Sequence, residues 1–85
     1  MKHRLVYTRQ VVKDIRKLDI ITLKKLKAKL ESYSQDPKNY AKKLINSKIG
    51  KYRWRIGKNY RVIFDLDKKN IVILRIRHRK EVYKR

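Results

Sequence analysis

Hydrophobic residues recur along this chain with two periods, and the change between them falls near Gly50. Leu5 and Tyr7 alternate with Arg4 and Val6, which predicts a first strand over residues 3–7. Thr8 is placed to cap a helix on which Val11, Val12, Ile15 and Leu18 recur at spacings of three and four. Lys13, Asp14, Arg16 and Lys17 are then expected to face water. Asp19 interrupts the pattern. A second helix is predicted around Leu23, Leu26, Leu30 and Tyr33, with Lys24, Lys25, Lys27 and Lys29 about them, and Asp36–Pro37 ends it. The two read as an antiparallel helical hairpin with one apolar stripe.

Beyond Gly50 the period falls from about 3.6 to 2. Three segments, residues 51–57, 60–66 and 71–79, read as strands, and the connections Gly57-Lys58-Asn59 and Asp67-Lys68-Lys69-Asn70 are short enough only for hairpins. The expected fold class is therefore α+β: an N-terminal strand, a two-helix hairpin, then a three-stranded antiparallel meander, with the helices packed on one face of a small sheet. With 85 residues and no linker or internal repeat, residues 1–85 are read as a single domain. A large two-domain enzyme with a deep cofactor cleft is excluded.

Charge changes the picture next. Lys and Arg total 27 against 7 Asp and Glu, a formal net charge of +20. A 41% hydrophobic fraction nonetheless argues for a folded domain, not a basic tail. The absence of Cys excludes disulfides, zinc-thiolate sites and a Cys nucleophile, and with His3 and His78 as the two histidines no metal site and no cofactor are expected. No apolar run approaches the ~20 residues that cross a bilayer, so no membrane role and a cytoplasmic location are expected.

Strand alternation sorts the side chains of the meander. Tyr52, Trp54, Ile56, Tyr60, Val62, Phe64, Leu66, Val72, Leu74, Ile76 and His78 are assigned to a core face; Lys51, Arg53, Arg55, Arg61, Arg75, Arg77 and Arg79 fall on the other, together with Ile63, Asp65, Ile71 and Ile73. Of ten arginines, seven lie from Arg53 onward, whereas the helices carry mainly lysine. The lysines read as solvated surface. Guanidinium grips phosphate in a bidentate fork and stacks on bases, so the arginine face reads as an RNA-holding surface. Six like charges on neighbouring strands repel, with Asp65 as local compensation, and call for an anion. No phosphate loop, paired carboxylates or nucleophile triad is present. What such a site can do is align a ribose 2′-OH with its 3′ phosphate and neutralise the charge that develops. Tyr83, past the last strand, is open to either a ligand or a packing role.

The block G-K-Y-R-W-R-I-G-K-N-Y-R-V-I-F-D-L over residues 50–66, followed by R-H-R-K-E-V-Y over 77–83, resembles the RelE/ParE toxin superfamily, and most closely its RelE-like branch. The strand–helix–helix–three-strand order resembles it too. The resemblance implies the toxin of a toxin–antitoxin module: a ribosome-dependent endoribonuclease acting on mRNA in the ribosomal A site against rRNA, held in a hetero-oligomer by a cognate acidic, RelB-like antitoxin. Carried over by position, it implies catalytic roles for Arg53, Arg55, Arg61, Arg79 and Tyr83, with Arg77 as the alternative register for Arg79; Lys51, Arg75, Arg77 and His78 join them as RNA-binding residues. The family often has Lys at the positions of Arg53 and Arg55, and Arg keeps its proton, so proton removal is left to Tyr83, Lys51, His78 or an rRNA group. Two rival readings stand beside this one. One is a ParE-like inhibitor of DNA gyrase; the other is a non-catalytic RNA- or ribosome-binding module.

Overall fold

The computed structural model describes residues 3–45 and 47–79. Its elements run β1 (Arg4–Tyr7), α1 (Arg9–Arg16), α2 (Ile20–Tyr33), β2 (Ala41–Lys43), β3 (Tyr52–Ile56), β4 (Tyr60–Asp67) and β5 (Asn70–His78). The strands form one mixed sheet in the order β1-β5-β4-β3-β2. The β3-β4-β5 meander is antiparallel, β1 lies parallel to β5 at one edge, and β2 closes the other edge antiparallel to β3. Both helices pack on one face, so the expected α+β architecture holds. β2 is an addition to it: A-K-K carries no alternation to read, and pairing with Tyr52, Arg53 and Trp54 is what makes it a strand.

Thr8 caps α1, its Oγ1 accepting from the Val11 N–H at 3.3 Å while donating to the Ile73 carbonyl at 2.8 Å. Asp19, the interruption in the pattern, is the cap of α2 and accepts from the Thr22 N–H at 3.4 Å. The core joins Val11, Leu26 and Leu30 of the helices to Trp54, Ile56, Val62, Phe64, Ile71, Ile73 and Ile76 of the sheet. Aromatic rings fill its centre. Trp54 and Phe64 lie 4.2 Å apart between centroids, Tyr33 meets the Trp54 edge at 5.7 Å, and the buried Trp54 Nε1 donates to the Pro37 carbonyl at 2.9 Å.

Two assignments are corrected. Asp14, expected in water, is 6% exposed, while Val12, expected in the core, is 38% exposed. The helix therefore turns its Val11–Asp14 side toward the sheet, and the carboxylate is satisfied there by β5. The second correction is in β5 itself. Alternation puts Val72 and Leu74 on the core face and Ile71 and Ile73 on the arginine face, yet Ile71 and Ile73 are fully buried. Ile63 pairs with Arg75 but Phe64 pairs with Ile73, so Leu74 is an extra residue, a β-bulge. Alternation read backward from Ile76 across that bulge comes out inverted.

The bulged stretch also has a cover. A Cβ on Gly50 would stand 2.7 Å from Leu74 Cδ1 and 2.8 Å from Ile63 Cγ2, so the backbone before β3 lies directly on the outer face at these two apolar side chains. The Lys51 N–H is tied down there by Asp65 Oδ1 at 2.6 Å. The backbone at Gly50 and Lys51 thus covers the outer face around Ile63 and Leu74.

Candidate functional site

The register builds the site. Arg55 of β3 stands directly opposite Arg61 of β4, and Arg61 directly opposite Arg77 of β5. Three guanidinium-bearing residues therefore form one row across three neighbouring strands, with Cβ spacings of roughly 5 Å. All three are on the side away from the helices, because their neighbours Trp54, Ile56, Val62 and Ile76 are buried. The turn between β3 and β4 and the end of β5 complete the arrangement. Gly57 takes a left-handed φ of 61°, which lets the hairpin reverse, and the Arg79 N–H donates to the Asn59 carbonyl, drawing the end of β5 against that turn. Arg55, Lys58, Tyr60, Arg61 and Arg79 line a recess of about 270 Å³. Four of its five lining side chains are cationic, so the recess is suited by charge to an anionic group.

Of the residues expected in the site, Arg55, Arg61 and Arg79 are brought together in this recess, and Arg77 closes the row beside it. Arg53 belongs to the next row, between Lys42 of β2 and Ile63 of β4. Lys51 precedes β3, four residues from Arg55, or about 13 Å along an extended strand. Arg75 is otherwise engaged: its Nε donates to Asp14 Oδ2 at 2.9 Å and its terminal nitrogen to Asp14 Oδ1 at 3.2 Å. His78 is on the helix side, its ring edge-on to Tyr60 at 5.1 Å, beside a second recess shared with Asp14, Lys17, Leu18 and Ile76. Tyr83 lies outside the described residues.

Sequence reading missed Lys58 and Lys42. The first stands in a turn read only as a connection, though a cation between two arginine-bearing strands was a usable signal; the second lies on the strand that carries no pattern. Among the described residues, no group of three or more His, Asp or Glu is placed to hold a metal ion, and no helix is long and apolar enough to cross a membrane.

A five-stranded mixed sheet with two helices packed on it is a fold shared with solved toxin structures. Residues 5–83 match the family model for the ParE toxin of the type II toxin–antitoxin system parDE, and the chain belongs to that family. Solved structures agree. The chain is similar to one in the RelBE2 toxin–antitoxin complex of Mycobacterium tuberculosis, with 25% identity and a TM-score of 0.80 over 93% of this chain and 100% of that one. It is similar to one in the archaeal RelE–RelB complex of Pyrococcus horikoshii, with 27% identity and a TM-score of 0.72 over 93% and 97%. YafQ of E. coli, at 21% identity and a TM-score of 0.61 over 96% and 99%, shares the fold. A search of curated proteins finds no match. The protein is a toxin of a type II toxin–antitoxin system, and the superfamily resemblance is borne out.

Proposed function

We propose that this toxin is a ribosome-dependent mRNA endoribonuclease, and that the arginine row is its phosphate clamp. The observation that carries the reading is the register Arg55–Arg61–Arg77, with Arg79 and Lys58 at its rim. In the reaction, the ribose 2′-OH gives up its proton and its oxygen bonds to the adjacent phosphorus. The P–O5′ bond breaks, the departing 5′ oxygen takes a proton, and a 2′,3′-cyclic phosphate is left upstream. The phosphorane-like transition state carries more negative charge than the diester, and fixed guanidinium forks favour it over the ground state.

Arginine does not give up its proton near neutrality, so Arg55, Arg61, Arg77 and Arg79 orient and neutralise. Lys51, about 13 Å along β3 from Arg55, is too far to serve the same phosphate and is assigned to the RNA path with Arg53. His78 stands on the helix side, away from the row, which leaves Tyr83 or an rRNA group for proton transfer. By analogy with the antitoxin-bound relatives, a cognate antitoxin holds this chain in a hetero-oligomer, and an acidic segment suits its +20 charge.

The test is to add purified protein to translating ribosomes and map mRNA ends. Cuts in codon register with 5′-OH downstream ends support the reading. Intact mRNA with lost gyrase supercoiling would transfer the toxin to the gyrase-directed class, and RNA binding with neither effect would make it a binding module.

A further inference from the structure

Asp14 is a buried carboxylate that phosphate binding does not use. Its Oδ2 accepts from the Ile76 backbone N–H at 3.0 Å and from Arg75 Nε, and its Oδ1 from the other arm of the same guanidinium. These bonds fall immediately after the Leu74 bulge. The bulge has a consequence for Arg77 and Arg79. Ile71 and Ile73 face the core, so an unbroken period of 2 from them would carry residues 75, 77 and 79 to the same side, burying three arginines under the helices. One inserted residue reverses the phase. Ile76 is then buried at 4% exposure and Arg77 stands opposite Arg61 on the outer face.

A bulge breaks the hydrogen-bond ladder and needs support. On its other edge β5 is paired with β1 only as far as Ile73. Helix α1 takes over there: Thr8 donates through both its N–H and its hydroxyl to the Ile73 carbonyl, before the bulge, and Asp14 accepts the Ile76 N–H, after it. A carboxylate suits the second point because it has lone pairs enough for a backbone donor and a guanidinium fork together.

We infer that Asp14 is a positioning residue, which by accepting the Ile76 amide and the Arg75 guanidinium holds the Leu74 bulge and so turns Arg77 and Arg79 onto the arginine face. The structural part stands by itself; its effect on cleavage rests on the nuclease reading above.

The chain has no cysteine, so single thiols report facing cleanly. Arg77→Cys and Ile76→Cys are made separately, each with Asp14 intact and with Asp14→Ala, and their rates with iodoacetamide are compared under conditions where circular dichroism shows a folded chain. With Asp14 present, position 77 reacts faster than position 76. Asp14→Ala is expected to lower that ratio at least about tenfold, by letting β5 slip or open locally. Leu30→Val, which weakens the core away from the bulge, should leave it unchanged. If Asp14→Ala does not fold, Asp14→Asn, which keeps an oxygen for the Ile76 N–H but loses the ion pair, is expected to lower the ratio by a smaller factor. A folded Asp14 variant with the parental ratio overturns the inference.

Single-turnover cleavage at saturating toxin is measured alongside. Asp14→Ala should slow it with Arg77 and Arg79 present, and lose most of that effect once both are Ala. A changed thiol ratio with no cleavage by the parent leaves the positioning role intact and rejects the nuclease. An equal slowing in both backgrounds overturns the catalytic part.

Discussion

Arg61 is the middle member of its row, flanked by Arg55 on one side and Arg77 on the other. A phosphate gripped there can be reached from both neighbouring strands. Arg61→Ala should therefore cost the chemical step about 100- to 1,000-fold, the size typical of losing one preorganised donor to a developing oxyanion. Arg53→Ala should cost less, because Arg53 is one row away, and Arg55→Ala should be intermediate, with Arg61 still in place. Single-turnover cleavage on programmed ribosomes separates these effects from binding. A loss below about threefold for Arg61→Ala, under ~1 kcal/mol, would reduce the row to a docking surface. Gly50 is a second sensitive position, because a methyl group there would meet Leu74 and Ile63 inside 3 Å. Gly50→Ala should destabilise the fold by roughly 1–3 kcal/mol through overpacking, read as a lower urea midpoint.

The β4–β5 turn carries a backbone strain of its own. Asp67 pairs with Asn70, which leaves Lys68 and Lys69 as a two-residue loop, and Lys68 takes a φ of 58° that a side chain disfavours. Lys68→Gly should raise stability by somewhat under about 1 kcal/mol, relieved strain being offset in part by added unfolded-state entropy. Lys69→Gly removes the same charge without relieving that strain, so a higher urea midpoint in the first variant alone checks the account. The position of this turn was legible in the sequence, as were both helices, β1 and the core faces of β3 and β4. Each follows from a short-range period with a cap or a turn residue to bound it. β2 was not legible, because three residues without alternation become a strand only through their partner. The phase of β5 was not legible either. I-V-I-L-R-I-R-H-R reads as one alternation, and the inserted Leu74 is specified by contacts from α1, some 60 residues away, that no local pattern carries. The same gap explains the site. Arg55, Arg61 and Arg79 were read together because each follows a local alternation or a matched motif, whereas the commitment of Arg75 to Asp14 depends on where the first helix docks.

Summed over the chain, the excess positive charge strains the fold and concentrates polyanions at its surface. Stability should also depend on alkaline pH. Burial, and then the nearby Glu31 carboxylate, push the Tyr7 phenol above its ordinary value of 10.0. A raised folded value means that the native state favours the neutral phenol. The contribution is fully present below about pH 10 and is lost as pH rises through the folded value. Urea midpoints measured from pH 8 to 11.5 should fall at the alkaline end, and Tyr7→Phe should flatten that part of the curve. Such midpoints can be followed without any added label. Trp54 is the chain's one tryptophan, fully buried against Phe64, with its indole N–H held by the Pro37 carbonyl. It is also the residue between Arg53 and Arg55, pointing the opposite way along the same strand. Its fluorescence should shift red and change intensity when the core opens, yet barely respond when RNA fills the arginine face behind it. The fold thus carries an optical reporter that is sensitive to unfolding and nearly blind to occupancy, so a variant that fails to bind with its emission unshifted has lost contacts and kept its structure.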